Sequence, residues 1–330
     1  MKKTPKIDAQ VRWAAVKLIP RIGLSRPLPV GDWAGRRALS AARQVKLAKM
    51  SAKISPPPSD VEISNFICPR PDGTTLPLRL YRKRGSSSLA LIVYVHGGGM
   101  IMGTVDAYDS VCSKYASFAD IAILSVDYRL APEYPFPAAI EDVSVGVRWA
   151  RENYGELAID PKRIGIAGDS AGGGIAAGVL LKARDEGCGL SSAMLIYPML
   201  DDRTIASPVS GPKLTGPFII WTYDDNITGW RCLLGEMAPG EVSPREVSAY
   251  AAPARATQLG GLPPIYIEVG DLDIFHDEDV NFASRIRDAG GDVQLHLRPG
   301  CPHGYEVVAP KSRIAQLAMQ QRYEFLRSFN

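Results

Sequence analysis

The feature that most constrains the fold is a strand, a turn of small residues and a helix between residues 164 and 183. The apolar run 164–167 enters a turn that reads Gly-Asp-Ser-Ala-Gly over residues 168–172, and a helical run leaves it from Ile175. This G-x-S-x-G pattern is typical of a nucleophile elbow, in which a serine at the tip of a tight turn adopts strained dihedral angles. Glycine two residues before and two residues after the serine removes Cβ atoms that would collide with the chain. The turn therefore predicts Ser170 as a nucleophile, with the N-terminus of the following helix directed at the charge that develops during acyl transfer.

An alternative interpretation of the same turn is a dinucleotide-binding loop, because Gly172, Gly174 and Ala177 match its glycine pattern superficially. A loop of that kind opens a βαβ unit and requires an acidic residue at the end of the next strand, about twenty residues further on. Residues 184–187, Arg-Asp-Glu-Gly, instead read as the end of a helix. The nucleophile interpretation is therefore favoured, provided that its partners are found elsewhere in the chain.

Apolar runs that alternate with helical patterns predict an α/β fold, with a mostly parallel eight-stranded sheet and helices on both faces. The first two runs are separated by residues 69–73, Pro-Arg-Pro-Asp-Gly, so we expect the sheet to begin with an antiparallel hairpin. Ligands of such sheets bind at the carboxyl ends of the strands, which makes residues directly after a strand the candidates for chemistry. The predicted strands are 61–68, 76–81, 89–95, 121–126, 164–167, 193–197, 265–269 and 293–297, and the predicted helices among them are 137–153, 175–183, 277–289 and 311–329.

Two helical patterns precede the first strand and predict an N-terminal unit. One covers residues 11–20 and ends at its proline, and the other runs from Asp32, its predicted N-cap, to about residue 50. We therefore predict N-terminal cap helices over residues 1–55 and a catalytic domain over residues 56–330.

The interval from about residue 199 to residue 258 breaks the alternation of strands and helices. It predicts a helical cap insertion that covers the strand ends together with the N-terminal helices. Its aromatic residues either line an acyl pocket or pack the cap; they include Phe218, Trp221, Tyr223 and Trp230.

The composition is that of an ordinary globular protein, with 46% hydrophobic and 22% charged residues among 330. Five scattered cysteines, an odd number without a C-x-x-C pair, argue against a disulfide framework and a zinc site. They favour a reducing compartment, and we expect a cytoplasmic location. No apolar run reaches the length of a membrane-spanning helix, and the N-terminus lacks the apolar core of a secretory signal.

Charge is concentrated at the N-terminus, where residues 1–53 carry thirteen Lys or Arg against only Asp8 and Asp32. A solvated face on the cap helices is the favoured interpretation, and weak contact with an anionic membrane surface is the alternative. No nucleic-acid partner is expected.

An oxyanion produced at Ser170 requires preorganised donors, and a glycine turn supplies candidates for them. Directly after the strand that ends at residue 95 come His96, Gly97, Gly98 and Gly99, an H-G-G-G pattern. The N–H groups of the last two glycines, with that of Ala171, would form an oxyanion hole. A merely flexible glycine loop is the alternative, and the position after a central strand argues against it.

A general base is found by elimination, because the chain has only four histidines. His303 follows the last strand in a turn-rich loop, which makes it the candidate to accept the serine proton. The others lie in the glycine turn, before a helix and within a strand; they are His96, His276 and His296. The acid that orients the base should follow the preceding strand, where spacing alone leaves Asp271 and Asp273 as alternatives.

With these motifs together, the sequence resembles the hormone-sensitive-lipase-like family of α/β-hydrolases, also called bacterial family IV esterases, in its GDSAG branch. The motifs are His-Gly-Gly-Gly at 96–99, Asp-Tyr-Arg-Leu-Ala-Pro-Glu at 127–133 with Phe-Pro-Ala-Ala at 136–139, Gly-Asp-Ser-Ala-Gly-Gly at 168–173, Ser-Ala-Tyr-Ala-Ala-Pro at 248–253, and His-Gly at 303–304. The resemblance covers nearly the whole chain from about Val61, and it implies an α/β-hydrolase fold with a helical cap.

The resemblance also implies roles for individual residues. The D-P-L-R-D motif of the family corresponds to residues 273–277, which makes Asp273 the triad acid, although Ile274 and His276 replace its Pro and Arg. It further implies that the region of Asp127 and Glu133 holds the loop beside the elbow.

The implied activity is cleavage of carboxylic esters with short-to-medium acyl chains by a carboxylesterase-like or lipase-like serine hydrolase, without a metal or organic cofactor. The expected partner is a small-molecule ester, and a homodimer is a family expectation. The alternatives are a tailoring hydrolase, lactonase or acyltransferase of secondary metabolism, or a non-catalytic ligand-binding member such as the plant hormone receptors of this fold. Those receptors lack the histidine, and the presence of His303 argues against that last alternative.

Overall fold

The computed structural model describes residues 6–22, 28–86, 89–205, 220–235 and 247–329. Its strands are β1 (Val61–Pro69), β2 (Thr75–Lys83), β3 (Leu89–Val95), β4 (Ala122–Val126), β5 (Ile159–Asp169), β6 (Ala193–Ile196), β7 (Ile265–Gly270) and β8 (Val293–Arg298). Its α-helices are α1 (Ala9–Ile22), α2 (Trp33–Ile54), α3 (Val105–Ala119), α4 (Ala138–Glu152), α5 (Tyr154–Leu157), α6 (Ala171–Asp185), α7 (Tyr223–Leu234), α8 (His276–Asp288), α9 (Tyr305–Val308) and α10 (Arg313–Arg327).

The strands form one eight-stranded sheet in the order β1-β2-β4-β3-β5-β6-β7-β8. Strand β2 pairs antiparallel with both β1 and β4, and the pairs from β4 to β8 are parallel. The predicted hairpin and the predicted mostly parallel α/β-hydrolase sheet are therefore confirmed.

Both faces of the sheet are covered by helices, which explains why the central strands are apolar throughout. In β3, Leu91 and Val93 point to one face and Ile92 and Tyr94 to the other, in the period of two that strand geometry requires. Helices α4, α6 and α8 pack on the first face, and α3 and α10 pack on the second. The carboxyl ends of the parallel strands consequently open at a single edge of the sheet.

Helix α3 is absent from the sequence predictions. Its buried positions include small or polar residues such as Cys112, Ser113 and Ala116 besides Val105 and Tyr115. Its start is fixed by Thr104, whose side chain accepts a hydrogen bond from the N–H of Ala107.

The N-terminal helices differ from the predictions at their C-terminal ends. Asp32 does cap α2, because its Oδ1 accepts a hydrogen bond from the N–H of Gly35 at 2.8 Å. Helix α1 continues two residues beyond Pro20, since a proline in the last turn removes one backbone hydrogen bond without breaking the preceding turns. Val11 of α1 is buried against the segment that follows β8. No helix in the described ranges is long and apolar enough to cross a membrane.

Candidate active site

Ser170 occupies the turn between β5 and α6 in a strained backbone conformation, with φ 57° and ψ −122°. A Cβ atom on Gly168 would lie 2.3 Å from the carbonyl oxygen of Gly172, and one on Gly172 would lie 2.1 Å from that of Val95. The glycines at both positions are therefore required by close approach of the backbone. The N–H of Ser170 donates to the carbonyl of Ile196 at 2.8 Å, which ties the strained turn to the end of β6.

The structure brings Ser170, His303 and Asp273 together. The Nε2 of His303 lies 3.0 Å from the Oγ of Ser170, and its Nδ1 lies 2.7 Å from Oδ2 of Asp273. The second carboxylate oxygen of Asp273 accepts a hydrogen bond from the N–H of Phe275 at 3.1 Å. All three side chains are buried, and they follow β5, β8 and β7 at one edge of the sheet. This arrangement can move a proton from a hydroxyl to an imidazole whose other N–H is held by a carboxylate.

The other acidic and histidine candidates lie outside this arrangement. Asp271 accepts a hydrogen bond from the N–H of Gly300 at 2.7 Å, so it holds the loop after β8 rather than His303. His276 contacts Asp277 at the start of α8, and His296 stacks on a tyrosine ring within the sheet.

The glycine turn after β3 lies against the elbow. A Cβ atom on Gly97 would lie 3.3 Å from the Cβ of Ser170, and Gly98 and Gly99 have φ of 133° and 60°. Their N–H groups and that of Ala171 donate to no other residue in the part of the chain that the structure describes. Three backbone donors next to the serine thus remain available for an oxyanion, and that of Ala171 lies at the N-terminus of α6.

His96 contacts this glycine turn and is separate from the group formed by Ser170, His303 and Asp273. Its ring stacks on that of Tyr128 with 4.3 Å between centroids, and its Nδ1 lies 2.9 Å from the carbonyl oxygen of Gly97. Burial lowers the pKa of His96 to about 4, so the ring is neutral near pH 7. The hydroxyl of Tyr128 donates to the carbonyl of His96 at 2.8 Å.

The 127–133 region contacts the loop beside the elbow, as the resemblance implies: the hydroxyl of Tyr128 donates to the carbonyl of His96, and the N–H of Ala131 donates to the carbonyl of Met100 at 3.0 Å. Asp127 is exposed, and Glu133 pairs with Arg37 of α2 at 2.6 Å near the surface. Tyr128 makes the contact with the glycine turn itself, and Arg37, the partner of Glu133, donates to the carbonyl of Ile101 just beyond that turn at 2.8 Å.

Three further side chains lie at the site; the sequence predictions missed two of them and named the third, Trp221, only as one of several aromatic residues that line a pocket or pack the cap. The ring of Tyr197 lies 4.5 Å and that of Phe275 lies 5.3 Å from the ring of His303, both edge-on. Trp221, within the predicted cap insertion, packs on the glycine turn so closely that a Cβ atom on Gly99 would lie 2.0 Å from its Cη2. These contacts join segments distant in sequence, and only the aromatic character of Trp221 had marked one of them.

Comparison with known proteins agrees with this fold. A family model described as alpha/beta hydrolase fold matches residues 92–307, which is more than half of the chain. Esterase LipI of Mycobacterium tuberculosis is 37% identical over 224 residues, and the match spans 65% of this chain and 65% of that esterase, just under two thirds of its length. Carboxylesterase NlhH of the same organism is 36% identical over 240 residues, covering 71% of this chain and 72% of that protein.

A solved structure of a bacterial heroin esterase is similar over 98% of both chains, with a TM-score of 0.85 and 32% sequence identity. The resemblance to the hormone-sensitive-lipase-like hydrolases is therefore confirmed, and the chain belongs to the α/β-hydrolase fold family.

Proposed function

We propose that the chain cleaves carboxylic esters through an acyl-enzyme formed on Ser170, and the observation that carries this proposal is the continuous contact from Ser170 through His303 to Asp273. The chain is a carboxylesterase-like hydrolase, as its family and its relatives support. Small-molecule esters are its class of substrate.

In the first half of the reaction, the Oγ of Ser170 attacks the ester carbonyl carbon while its proton passes to Nε2 of His303. The carbonyl oxygen becomes an oxyanion that accepts hydrogen bonds from the N–H groups of Gly98, Gly99 and Ala171. Each such donor contributes about 3 kcal/mol to lowering the barrier. Collapse of the tetrahedral intermediate breaks the bond to the alcohol, which leaves with the proton from the imidazole.

In the second half, water attacks the acyl-enzyme with His303 as base, and collapse returns the proton to Ser170 and releases the acid. Asp273 keeps the imidazole in one tautomer and stabilises its protonated form in both halves. Lactone opening or transfer to another acceptor would use the same acyl-enzyme and differ only in the alcohol or the attacking group.

The walls above the serine support a preference for short-to-medium acyl chains. Trp221 covers the backbone of Gly99, and Ile220 approaches the other side of the site, where a Cβ atom on Gly304 would lie 3.2 Å from its Cδ1. The two neighbouring side chains thus reach both the glycine turn and the residue after His303, and we expect them to limit the space for an acyl chain.

The finer expectations about partners and location belong to the same proposal. Helix α1 exposes Trp13 and Val16 next to Arg12 and Lys17, which suits weak contact with an anionic membrane surface. Strand β8 is an edge of the sheet through which a homodimer would form. The five free cysteines suit a reducing, cytoplasmic location. Equal vesicle partitioning of the chain and of a Trp13→Ser variant would contradict the membrane contact.

Hydrolysis of a p-nitrophenyl ester series from acetyl to dodecanoyl tests the proposed function. We expect turnover that is highest on short chains, falls to background in Ser170→Ala, and extends to longer chains in Trp221→Ala. Turnover by Ser170→Ala at the wild-type rate would contradict the mechanism. Ligand binding by a wild-type chain that turns over no ester would favour a non-catalytic role.

A further inference from the structure

Tyr197, directly after β6, is held in an uncommon backbone conformation next to the candidate active site. Its φ is 37°, in the left-handed region, which costs a residue with a Cβ atom about 1–2 kcal/mol. Its N–H donates to the carbonyl of Glu268 at 2.5 Å, and the residues around it contact the serine: the N–H of Ser170 donates to Ile196, and the N–H of Met199 donates to Ser170. Strain of this kind persists only where the surrounding structure imposes it.

The conformation of Tyr197 places its side chain between the serine turn and the histidine loop. Its ring lies edge-on to that of His303, with 4.5 Å between centroids and an interplanar angle of 61°. Its hydroxyl donates to Oε1 of Glu306, three residues after the histidine, at 2.6 Å. The tyrosine is therefore in contact with the base and, at its far end, with the loop that carries the base.

A buried ionic network fixes the far end of this contact. Arg322 of α10 is fully buried, and its guanidinium donates to Glu306 at 3.2 Å and to Glu268 at 2.6 Å. Burial alone would raise the pKa of Glu268, but Arg322 and Arg298 outweigh it and hold that pKa at about 2, so the carboxylate is charged. The hydroxyl of Tyr305 also donates to Glu268, at 2.8 Å.

The network therefore anchors Tyr305 and Glu306, the two residues directly after Gly304. Through Glu306 it also anchors the ring of Tyr197, which packs on the imidazole. We infer that Tyr197 is a positioning residue: it keeps the imidazole of His303 in register with the oxygen of Ser170 by packing on the ring and bonding to Glu306. This inference rests on the proposed function of Ser170 and His303. It adds to the site a residue that follows β6, whereas Ser170 and His303 follow β5 and β8.

The test compares Tyr197→Leu, which removes the ring, with Tyr197→Phe, which removes only the hydroxyl. Tyr266→Phe is the matched control, because that buried hydroxyl also donates to a carboxylate of the network, Glu268, and its ring stacks on His296 instead of His303. Kinetics on p-nitrophenyl acetate and thermal melting are measured for each variant and for wild type.

We expect kcat to fall about 10- to 100-fold in Tyr197→Leu with KM within twofold of wild type, because misplacement of a reacting group by about 1 Å has an effect of that size. Tyr197→Phe should keep most of the wild-type kcat, because it retains the ring. Tyr266→Phe should keep the wild-type kcat, although Tyr197→Phe and Tyr266→Phe should both melt at a lower temperature than wild type. Labelling of Ser170 by a p-nitrophenyl phosphonate should slow by the same factor as kcat.

An unchanged kcat in Tyr197→Leu, or an equal loss in Tyr266→Phe, would overturn the inference. Both results would leave Ser170→Ala inactive, so they are distinguishable from failure of the proposed function, in which Ser170→Ala stays active.

Discussion

Replacing Gly99 by alanine examines the proposed oxyanion hole at the position where the structure leaves least room. A Cβ atom there would lie 2.0 Å from Cη2 and 2.6 Å from Cζ2 of Trp221. Carbon atoms in contact are about 3.5–4.0 Å apart, so the turn or the indole must move by about 1.5–2 Å. The φ of Gly99 is 60°, which costs alanine about a further 1–2 kcal/mol.

Movement of the turn displaces the N–H groups that we propose as oxyanion donors. Loss of one donor lowers kcat by about 10²–10³-fold, and we expect Gly99→Ala to lose at least about 100-fold. The double variant Gly99→Ala/Trp221→Ala removes the collision and keeps the backbone cost, so it should regain about tenfold or more. Gly155→Ala is the control, because a Cβ atom at that position meets nothing within 4 Å.

The assay is steady-state hydrolysis of p-nitrophenyl acetate, with circular dichroism melting to establish the folded fraction of each variant. Wild-type kcat in Gly99→Ala would refute the assignment of the turn as the oxyanion hole. A double variant as inactive as Gly99→Ala would refute the argument that the indole causes the loss.

Other predictions concern pH and the choice of the acid. Burial lowers the pKa of His96 to about 4, so the unfolded chain binds a proton that the folded chain does not, and stability should fall by about 2 kcal/mol from pH 7 to pH 4.5. Urea unfolding of His96→Phe should show less of that loss, and an identical loss would contradict the argument. Burial raises the pKa of Asp169 to about 7, although the positive charge of Arg322 lowers it. The folded chain therefore holds this proton to a higher pH than the unfolded chain, and the stability that the bound proton contributes is lost as pH rises from about 4 to 7. The free energy of unfolding of Asp169→Asn, relative to that of wild type, should therefore rise by about 2 kcal/mol from pH 5 to pH 8. An equal difference between the two proteins at both pH values would contradict this argument. Asp273→Asn should lower kcat by about 10³–10⁴-fold, whereas Asp271→Asn should stay within about tenfold; the reverse order would exchange their roles.

The sequence predicted the parts of the site that depend on local spacing. The glycines around Ser170 and Gly98 after β3 are required by close backbone approach, and that requirement is visible as a motif. The sheet was predictable for the same reason, since central strands buried on both faces read as continuous apolar runs. His303 was predicted as the base because the chain has only four histidines.

Contacts between distant segments could not be predicted from spacing. Asp271 and Asp273 are two residues apart, and only the fold shows that the first accepts a hydrogen bond from Gly300 and the second from His303. Trp221 meets Gly99 across more than a hundred residues of chain, and Arg322 reaches the histidine loop from the last helix.

Covalent labelling tests the central claim most directly. The chain is incubated with a p-nitrophenyl phosphonate, and its intact mass and peptide map are measured beside those of Ser170→Ala and His303→Gln. The account predicts one phosphonyl group per wild-type chain on the peptide containing Ser170, no adduct in Ser170→Ala, and labelling at least about 10³-fold slower in His303→Gln. An adduct on another residue, or labelling of His303→Gln at the wild-type rate, would contradict it.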